Sequence, residues 1–210
     1  LKGIEATPEI LASEACEIEI DVLGEPIGKQ DQYAASFGGL NFIKFNNDGK
    51  VHIEPLKLDK DEVSFLNNHL LLYYTGLSSE SNQVLREQKR NTEKQKSTRS
   101  NLDKMVKLAE NLRDDFKIRN FSNLGLNLHK GWELKRSLAS RITSNKIDVF
   151  YDLAIKAGAK GGKILGSGGG GFLLVYAEKE IHNKVRAALK NLKELNFSLS
   201  NRGSEIIKVN

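Results

Sequence analysis

Apolar residues in the first quarter of the chain recur at helical spacing and then in short continuous runs. In residues 7–22 they return every three or four positions, Thr7 can cap the amino end, and Pro8 suits a first helical turn. Runs at 40–45 and 51–56 flank a segment of Asn, Asp and Gly that favours a tight turn. The pattern predicts a helix followed by a β-hairpin, with a short helical piece at 33–37 between them.

The rest of the chain mixes longer amphipathic patterns with short apolar strands. A charged stretch at 57–62 is interpreted as a linker or boundary. Because strands and helices do not alternate as regular βαβ units, the pattern favours an α+β fold with helices packed on an antiparallel sheet. The predicted helices are 80–116, 123–140, 145–157 and 180–195, and the predicted strands are 70–74, 163–165, 172–177, 197–199 and 205–209.

The composition is that of a folded protein, and the distribution of charge bears on whether the protein binds nucleic acid. Of the 210 residues, 39% are hydrophobic and 28% are charged, and the net charge of +5 is spread among interleaved acids and bases. The densest basic stretch, 89–99, contains no aromatic residue that could stack on a base. We interpret it as a solvated helix face, so nucleic acid is not an expected partner.

Cysteine content and hydropathy bear on the compartment. Cys16 is the only cysteine, which excludes an intrachain disulfide and fits a reducing environment. No apolar run approaches the roughly 20 residues that span a bilayer, and no signal-peptide pattern opens the chain. The sequence therefore predicts a cytoplasmic protein without a membrane partner. The oligomeric state stays open, and a homodimer is one of the states allowed.

The first segment with candidate chemistry is residues 24–33, Gly-Glu-Pro-Ile-Gly-Lys-Gln-Asp-Gln-Tyr. Its glycines and proline predict a sharp turn that brings Asp31 close to Lys29. A carboxylate beside an opposite charge stays ionised and can orient or deprotonate a hydroxyl group. Spacing alone favours a structural alternative, in which Asp31 caps the short helix that follows.

The second segment is a glycine-rich run between two predicted strands, Gly166-Ser167-Gly168-Gly169-Gly170-Gly171. Glycine backbone can approach a phosphate or another stretch of backbone closely. A P-loop is excluded because no Gly-Lys-Ser/Thr follows, and a dinucleotide fingerprint is excluded because a strand follows where a helix is required. A flexible hairpin and a loop beside a ligand both remain open.

A third feature is a set of carboxylates on the first predicted helix. These residues could bind a hard cation such as Mg²⁺, which takes one or two carboxylates together with phosphate oxygens. Spacing selects none of them, and most are expected to be solvated. They are Glu14, Glu17, Glu19 and Asp21.

Taken together, residues 24–33 and 163–172 resemble two of the three signature motifs of the GHMP kinases, the superfamily of galactokinase and mevalonate kinase. The two segments have the order of those motifs and their separation of about 135 residues. The resemblance covers essentially all 210 residues and is strongest to members that phosphorylate D-glycero-D-manno-heptose 7-phosphate for bacterial surface polysaccharides. It implies that residues 1–62 end a ribosomal-protein-S5-type domain and that 63–210 form a ferredoxin-like GHMP C-terminal domain.

The resemblance also implies roles for individual residues. Asp31 would deprotonate the anomeric hydroxyl of a sugar or sugar phosphate for attack on the γ-phosphate of ATP, with Lys29 as a tuning charge. Glu19 matches the family's Mg²⁺-binding glutamate. The loop matches the third motif, beside the nucleotide phosphates, through Gly166, Ser167, Gly168, Gly169, Gly170 and Gly171. ATP and Mg²⁺ are the implied cofactors, and phosphoryl transfer relies mainly on positioning and electrostatic stabilisation.

Two departures from the family pattern keep other functions open. The family's phosphate-binding Gly-Leu-Gly-Ser-Ser-like loop is expected just before Leu1, and without it the chain would lack its main cradle for ATP. An arginine that relatives tend to carry near Ser79 is also absent, which would weaken a contact to an anionic substrate. The alternatives are a noncatalytic module that binds a sugar or a partner, and a kinase of fucose, galactose or an isoprenoid alcohol.

Overall fold

The structure is a computed structural model that describes residues 6–78 and 80–205. The described residues form two compact units, one of residues 6–59 with 199–205 and the other Lys60–Ser198. The functional division into domains 1–62 and 63–210 stays a prediction. Ser79 and the predicted strand residues 206–209 lie outside the described residues. None of the described helices is long and apolar enough to cross a bilayer.

The first unit consists of a helix pair and a hairpin. Thr7 caps α1, because its hydroxyl accepts a hydrogen bond from the Ile10 amide at 3.3 Å. The predicted hairpin is confirmed, with antiparallel pairing from Asn41 opposite Pro55 to Phe45 opposite Val51. The elements are α1 (Pro8–Cys16), a π-helical turn (Glu17–Val22), α2 (Gln30–Phe37), β1 (Asn41–Phe45) and β2 (Val51–Pro55).

The single helix predicted at 7–22 changes its hydrogen bonding partway along. After Cys16 the backbone widens into a π-helical turn, in which the Leu23 amide donates to the Ile18 carbonyl at 2.9 Å, five residues back. Gly24 then ends the segment with a φ of +69°, a conformation that glycine adopts without strain. Such π-turns frequently occur at functional sites, and Glu19 lies on this one.

The second unit is a four-stranded antiparallel sheet with helices between its strands. The strand order is β4-β5-β3-β6, and the chain runs strand, helices, strand, strand, helix, strand. This is the ferredoxin-like arrangement, so the predicted α+β fold is confirmed. The elements are α3 (Lys60–His69), β3 (Leu70–Tyr74), α4 (Ser81–Lys94), α5 (Lys96–Lys117), α6 (Leu124–Arg136), α7 (Asn145–Lys156), β4 (Gly161–Ile164), β5 (Phe172–Tyr176), a 3₁₀ turn (Lys179–Ile181), α8 (His182–Ala188) and β6 (Lys193–Leu195).

The core of the second unit lies against one face of this sheet. Leu71 pairs with Val175 and Tyr73 with Leu173, and because alternate strand residues share a face, these four side chains are buried together. Trp132 of α6 is also fully buried in the same cluster. This cluster holds the ends of β4 and β5, and the glycine-rich run connects those ends.

Three predicted elements were wrong in their extent. The helix predicted at 80–116 is two helices that break at Gln95, whose extended backbone has φ −112° and ψ 120°. No glycine or proline marks this break. Tertiary contacts lie beside it, since the Asn91 side chain donates to the Leu138 carbonyl at 2.8 Å and Thr98 is buried. The helix predicted at 123–140 spans Leu124–Arg136.

The third error concerns the last helix, predicted at 180–195. The α-helix ends at Ala188, and Lys193–Leu195 instead pair with β3. The open edge of β3 offers backbone hydrogen bonds that a continued helix would leave unmade, which explains why tertiary pairing overrides helical periodicity here. Residues 197–199, predicted as a strand, form none.

Candidate active site

Asp31 lies in the first turn of α2, on its exposed side. Lys29 holds the cap position of this helix, and it is also exposed. The structural alternative in which Asp31 caps the helix therefore does not describe this geometry. A carboxylate in the first turn is favoured by the positive end of the helix dipole, and its exposure lets a substrate hydroxyl reach it.

The opposite side of α2 fixes the helix in place. Tyr33 stacks on Phe37 with ring centroids 6.3 Å apart and meets Phe45 of β1 edge to face at 5.7 Å. Gln32 and Ser36 are buried on this side. Asp31 is thereby presented by a helix with an anchored inner face rather than by a loose loop.

Gln32 connects α2 to the π-helical turn that carries Glu19. The Gln32 side-chain amide Nε2 donates to Glu19 Oε2 at 3.0 Å. The Glu25 amide also donates to the Glu19 carbonyl at 3.0 Å, which closes the turn. Of the four carboxylates considered from the sequence, Glu19 is the one joined to α2 by this side-chain hydrogen bond. Sequence reasoning missed Gln32, because a glutamine beside an aspartate carries no signal of its own.

The carboxylates alone do not form a complete metal site. Within residues 6–78 and 80–205, no group of three or more His, Cys, Asp or Glu side chains is placed to hold a metal ion. Mg²⁺ in nucleotide enzymes usually takes only one or two carboxylates and completes its shell with phosphate oxygens and water. Glu19, half-buried and oriented by Gln32, fits the role of such a single protein ligand.

A cavity of about 320 Å³ lies beside Lys29, lined in addition by residues of α1, the π-helical turn and α2. Cys16 is one wall, and burial raises the pKa of its thiol, with Lys29 opposing this and Glu19 and Asp21 reinforcing it. Burial likewise raises the pKa of Tyr33. The wall next to Lys29 therefore presents a neutral thiol and a neutral phenol.

The glycine-rich loop connects β4 to β5 in the second unit. Gly166, Gly168, Gly169 and Gly171 all have positive φ, between +71° and +102°. The Gly169 amide donates to the Ile142 carbonyl at 2.8 Å. These torsions and this hydrogen bond define the backbone conformation of the loop.

The turn after β3 secures the far end of the loop. The Gly171 amide donates to the Leu77 carbonyl at 2.8 Å, and its carbonyl accepts from the Thr75 amide at 2.9 Å and the Thr75 hydroxyl at 2.8 Å. Ser167 donates to the Ser81 hydroxyl at 2.9 Å, at the start of α4. The sequence identified the loop, but Thr75 and Leu77 escaped notice because their contact is long-range.

Two glycines are required by close backbone packing. A Cβ atom on Gly168 would lie 2.8 Å from the Ile142 carbonyl oxygen, and one on Gly170 would lie 2.5 Å from that of Leu77. At Gly166 and Gly171 the corresponding space is open. The loop thus uses some glycines to dock on the protein and leaves others uncovered.

The backbone amides of the glycine-rich loop differ in their hydrogen bonding. In the described part of the chain, the amides of Gly166, Ser167, Gly168 and Gly170 make no backbone hydrogen bond, while those of Gly169 and Gly171 are used internally. Successive amides in left-handed and turn conformations form concavities that bind anions. The loop can therefore offer backbone donors to a phosphate group at the exposed Gly166 and the partly exposed Ser167.

Comparison with known proteins relates the second unit to a kinase family. Residues 98–194, which begin within α5, include the glycine-rich loop and end within β6, match the family described as GHMP kinases C terminal. The chain contains a GHMP kinase C-terminal domain. A D-glycero-alpha-D-manno-heptose 7-phosphate kinase from Campylobacter jejuni is 31% identical over 181 residues, 86% of this chain and 53% of that kinase.

Solved structures of GHMP kinases give the same picture. A structure from Campylobacter jejuni assigned as a sugar kinase has a TM-score of 0.69 and 28% identity, covering 95% of this chain and 57% of that one. A D-glycero-D-manno-heptose 1-phosphate kinase from Bacteroides thetaiotaomicron has a TM-score of 0.64 and 25% identity, covering 98% and 57%. The chain spans about half the length of the relatives it matches.

Proposed function

We propose that this chain is part of an ATP-dependent sugar kinase that phosphorylates the anomeric hydroxyl of D-glycero-D-manno-heptose 7-phosphate or a similar sugar. The observation that carries the proposal is the 31% identity to a heptose 7-phosphate kinase across 86% of the chain. It is supported by an exposed Asp31 at the start of an anchored helix and by a glycine-rich loop in which the Gly166 and Ser167 amides make no backbone hydrogen bond within the described part of the chain.

In this proposal Asp31 accepts the proton of the sugar hydroxyl. The position suits the task, because an exposed carboxylate on an anchored helix can be reached by substrate. Lys29, which precedes α2, is the tuning charge. Its ammonium group stabilises negative charge on the reacting oxygens.

The cofactors of the proposed reaction are ATP and Mg²⁺. The Gly166 and Ser167 amides of the glycine-rich loop donate to phosphate oxygens, and Glu19 supplies a carboxylate to the cation. Mg²⁺ would neutralise charge that develops on the transferred phosphoryl group. Because ATP is an intracellular metabolite and Cys16 is a free thiol, the proposed location is the cytoplasm.

The test is ADP release by the complete gene product with heptose 7-phosphate, compared with its Asp31→Asn variant. We expect the variant to lose roughly 10²–10⁴-fold in kcat, since an amide cannot accept the proton. Asp48→Asn, a change of an exposed carboxylate in the β-hairpin turn, serves as the control and should keep full activity.

The results separate the hypotheses. Equal rates for the wild type and Asp31→Asn would remove Asp31 as the base. A wild-type protein that neither binds ATP with Mg²⁺ in calorimetry nor releases ADP would favour a noncatalytic sugar-binding module instead. Faster turnover with fucose or galactose would reassign the substrate.

A further inference from the structure

Gln32 is an unusual residue for the interior of a helix pair. The residue is only 7% exposed, and its Oε1 atom is buried without a hydrogen-bond partner among the described residues. A buried amide with an unsatisfied acceptor costs stability, and an apolar side chain of similar size would avoid this cost. The position is therefore not explained by packing alone.

The amide nitrogen of Gln32 makes a specific hydrogen bond. Nε2 donates to Glu19 Oε2 at 3.0 Å, and Nε2 must be the end that faces Glu19, since a carboxylate only accepts hydrogen bonds. A half-buried carboxylate tied at one oxygen keeps one orientation. Partners that hold metal ligands in this way commonly contribute strongly to metal affinity.

We infer that Gln32 is a positioning residue, which holds the Glu19 carboxylate in the orientation that receives the catalytic cation. The inference rests on the proposed function of Glu19. Gln32 leaves Oε1 without a hydrogen bond, while its Nε2 donates to Glu19 and fixes the carboxylate. It acts on the cation only through Glu19.

Gln32 directly follows the proposed base, Asp31, in α2. Asp31 and Gln32 are consecutive residues of α2, and successive helical side chains point about 100° apart. One is exposed and the other is buried against the turn that carries Glu19. A single helix therefore sets the positions of the proposed base and of the proposed cation ligand, so that the two move together.

The carboxyl end of α2 also contacts the rest of the first unit. The Ser204 amide donates to the Ser36 carbonyl at 3.3 Å, and the Gly39 amide donates to the Ser200 carbonyl at 3.0 Å. A Cβ on Gly203 would lie 2.1 Å from the Ser36 carbonyl oxygen. The segment 200–204 thus closes over the end of α2 and limits its movement.

The test is Mn²⁺ binding to the complete gene product with a non-hydrolysable ATP analogue, measured by electron paramagnetic resonance of free Mn²⁺. In Gln32→Met, which keeps the side-chain volume and removes the amide, the Mn²⁺ dissociation constant should rise about 10–100-fold. The melting temperature should stay equal to the wild type or rise, because the unsatisfied Oε1 is removed as well. Ser36→Ala, a change of another buried polar residue of α2, should leave Mn²⁺ affinity unchanged.

A double-mutant comparison shows whether Gln32 acts through Glu19. Glu19→Gln should weaken Mn²⁺ binding, and adding Gln32→Met to it should weaken binding no further. Unchanged Mn²⁺ affinity in Gln32→Met, or an equal loss in Ser36→Ala, would overturn the inference while Glu19→Gln still upholds the proposed function. Unchanged affinity in Glu19→Gln would overturn both.

Discussion

At the scale of single residues, ion pairs of the second unit show how folded surroundings alter side-chain chemistry. The Arg186 guanidinium contacts both carboxylate oxygens of Glu194, with N to O distances of 2.9–3.2 Å. This pairing holds the pKa of Glu194 below its usual value of 4.5 and raises that of Arg186. Nearby, burial raises the pKa of Tyr73 to about 12.

The Glu194 pair makes stability depend on pH in a defined direction. A carboxylate whose pKa is lower in the folded state than in the unfolded state stabilises the fold at pH values above its unfolded-state pKa. This contribution is lost as the pH falls through the folded-state pKa. The wild type should lose stability on acidification below about 4.5. Urea midpoints measured between about pH 6 and pH 3 should fall less in Glu194→Gln than in the wild type.

A control for this experiment lies in the same unit. Glu180→Gln changes an exposed carboxylate of the 3₁₀ turn and should reproduce the wild-type pH dependence. If the urea midpoints of Glu194→Gln and the wild type fell equally with pH, the pH dependence could not be attributed to the Arg186–Glu194 pair.

At the scale of elements, the β4–β5 hairpin depends on glycine for a steric reason. The Gly170 position is crowded by the Leu77 carbonyl, whereas Gly131, within α6, has open space around it. Gly170→Ala should therefore destabilise the protein by about 1–3 kcal/mol. Gly131→Ala should stabilise it by about 0.5–1 kcal/mol through helix propensity and a less flexible unfolded chain.

Urea denaturation of both alanine variants measures the two effects. Since the substitutions add the same methyl group, the opposite signs isolate the close approach at Leu77. A Gly170→Ala protein as stable as the wild type would show that the loop does not dock as described.

Elements with local signals were predictable from the sequence. The hairpin at Asn41–Pro55 has turn residues between two apolar runs, and α7 has Ser144 as its cap and a clear helical period. Features set by distant contacts were not. The break at Gln95 and the strand at Lys193–Leu195 depend on neighbours far along the chain, and periodicity cannot report those.

The residues of the candidate site also fall into two groups, those suggested by the sequence and those recognised only in the structure. Asp31 and the glycine-rich loop could be proposed from the sequence because each lies in a short motif of consecutive residues, and Glu19 because it lies a fixed distance before the first motif. Gln32 and Leu77 were missed because their importance lies in a hydrogen bond across the fold. Only the structure supplies such partners.

At the scale of the whole molecule, each of the two compact units carries one part of the proposed machinery. The first holds Asp31, Lys29 and Glu19, and the second holds the glycine-rich loop within a ferredoxin-like sheet. The GHMP C-terminal family match lies within the second unit. The kinase activity is a property that we propose for the complete gene product.

The most direct test of the central claim identifies the product. The complete gene product is incubated with ATP, Mg²⁺ and D-glycero-D-manno-heptose 7-phosphate, and the mixture is followed by ³¹P NMR. We predict ADP together with a new phosphate resonance coupled to the anomeric proton, at one equivalent of each. ATP that remains intact under these conditions, or a phosphate on any other carbon, would contradict the proposed function.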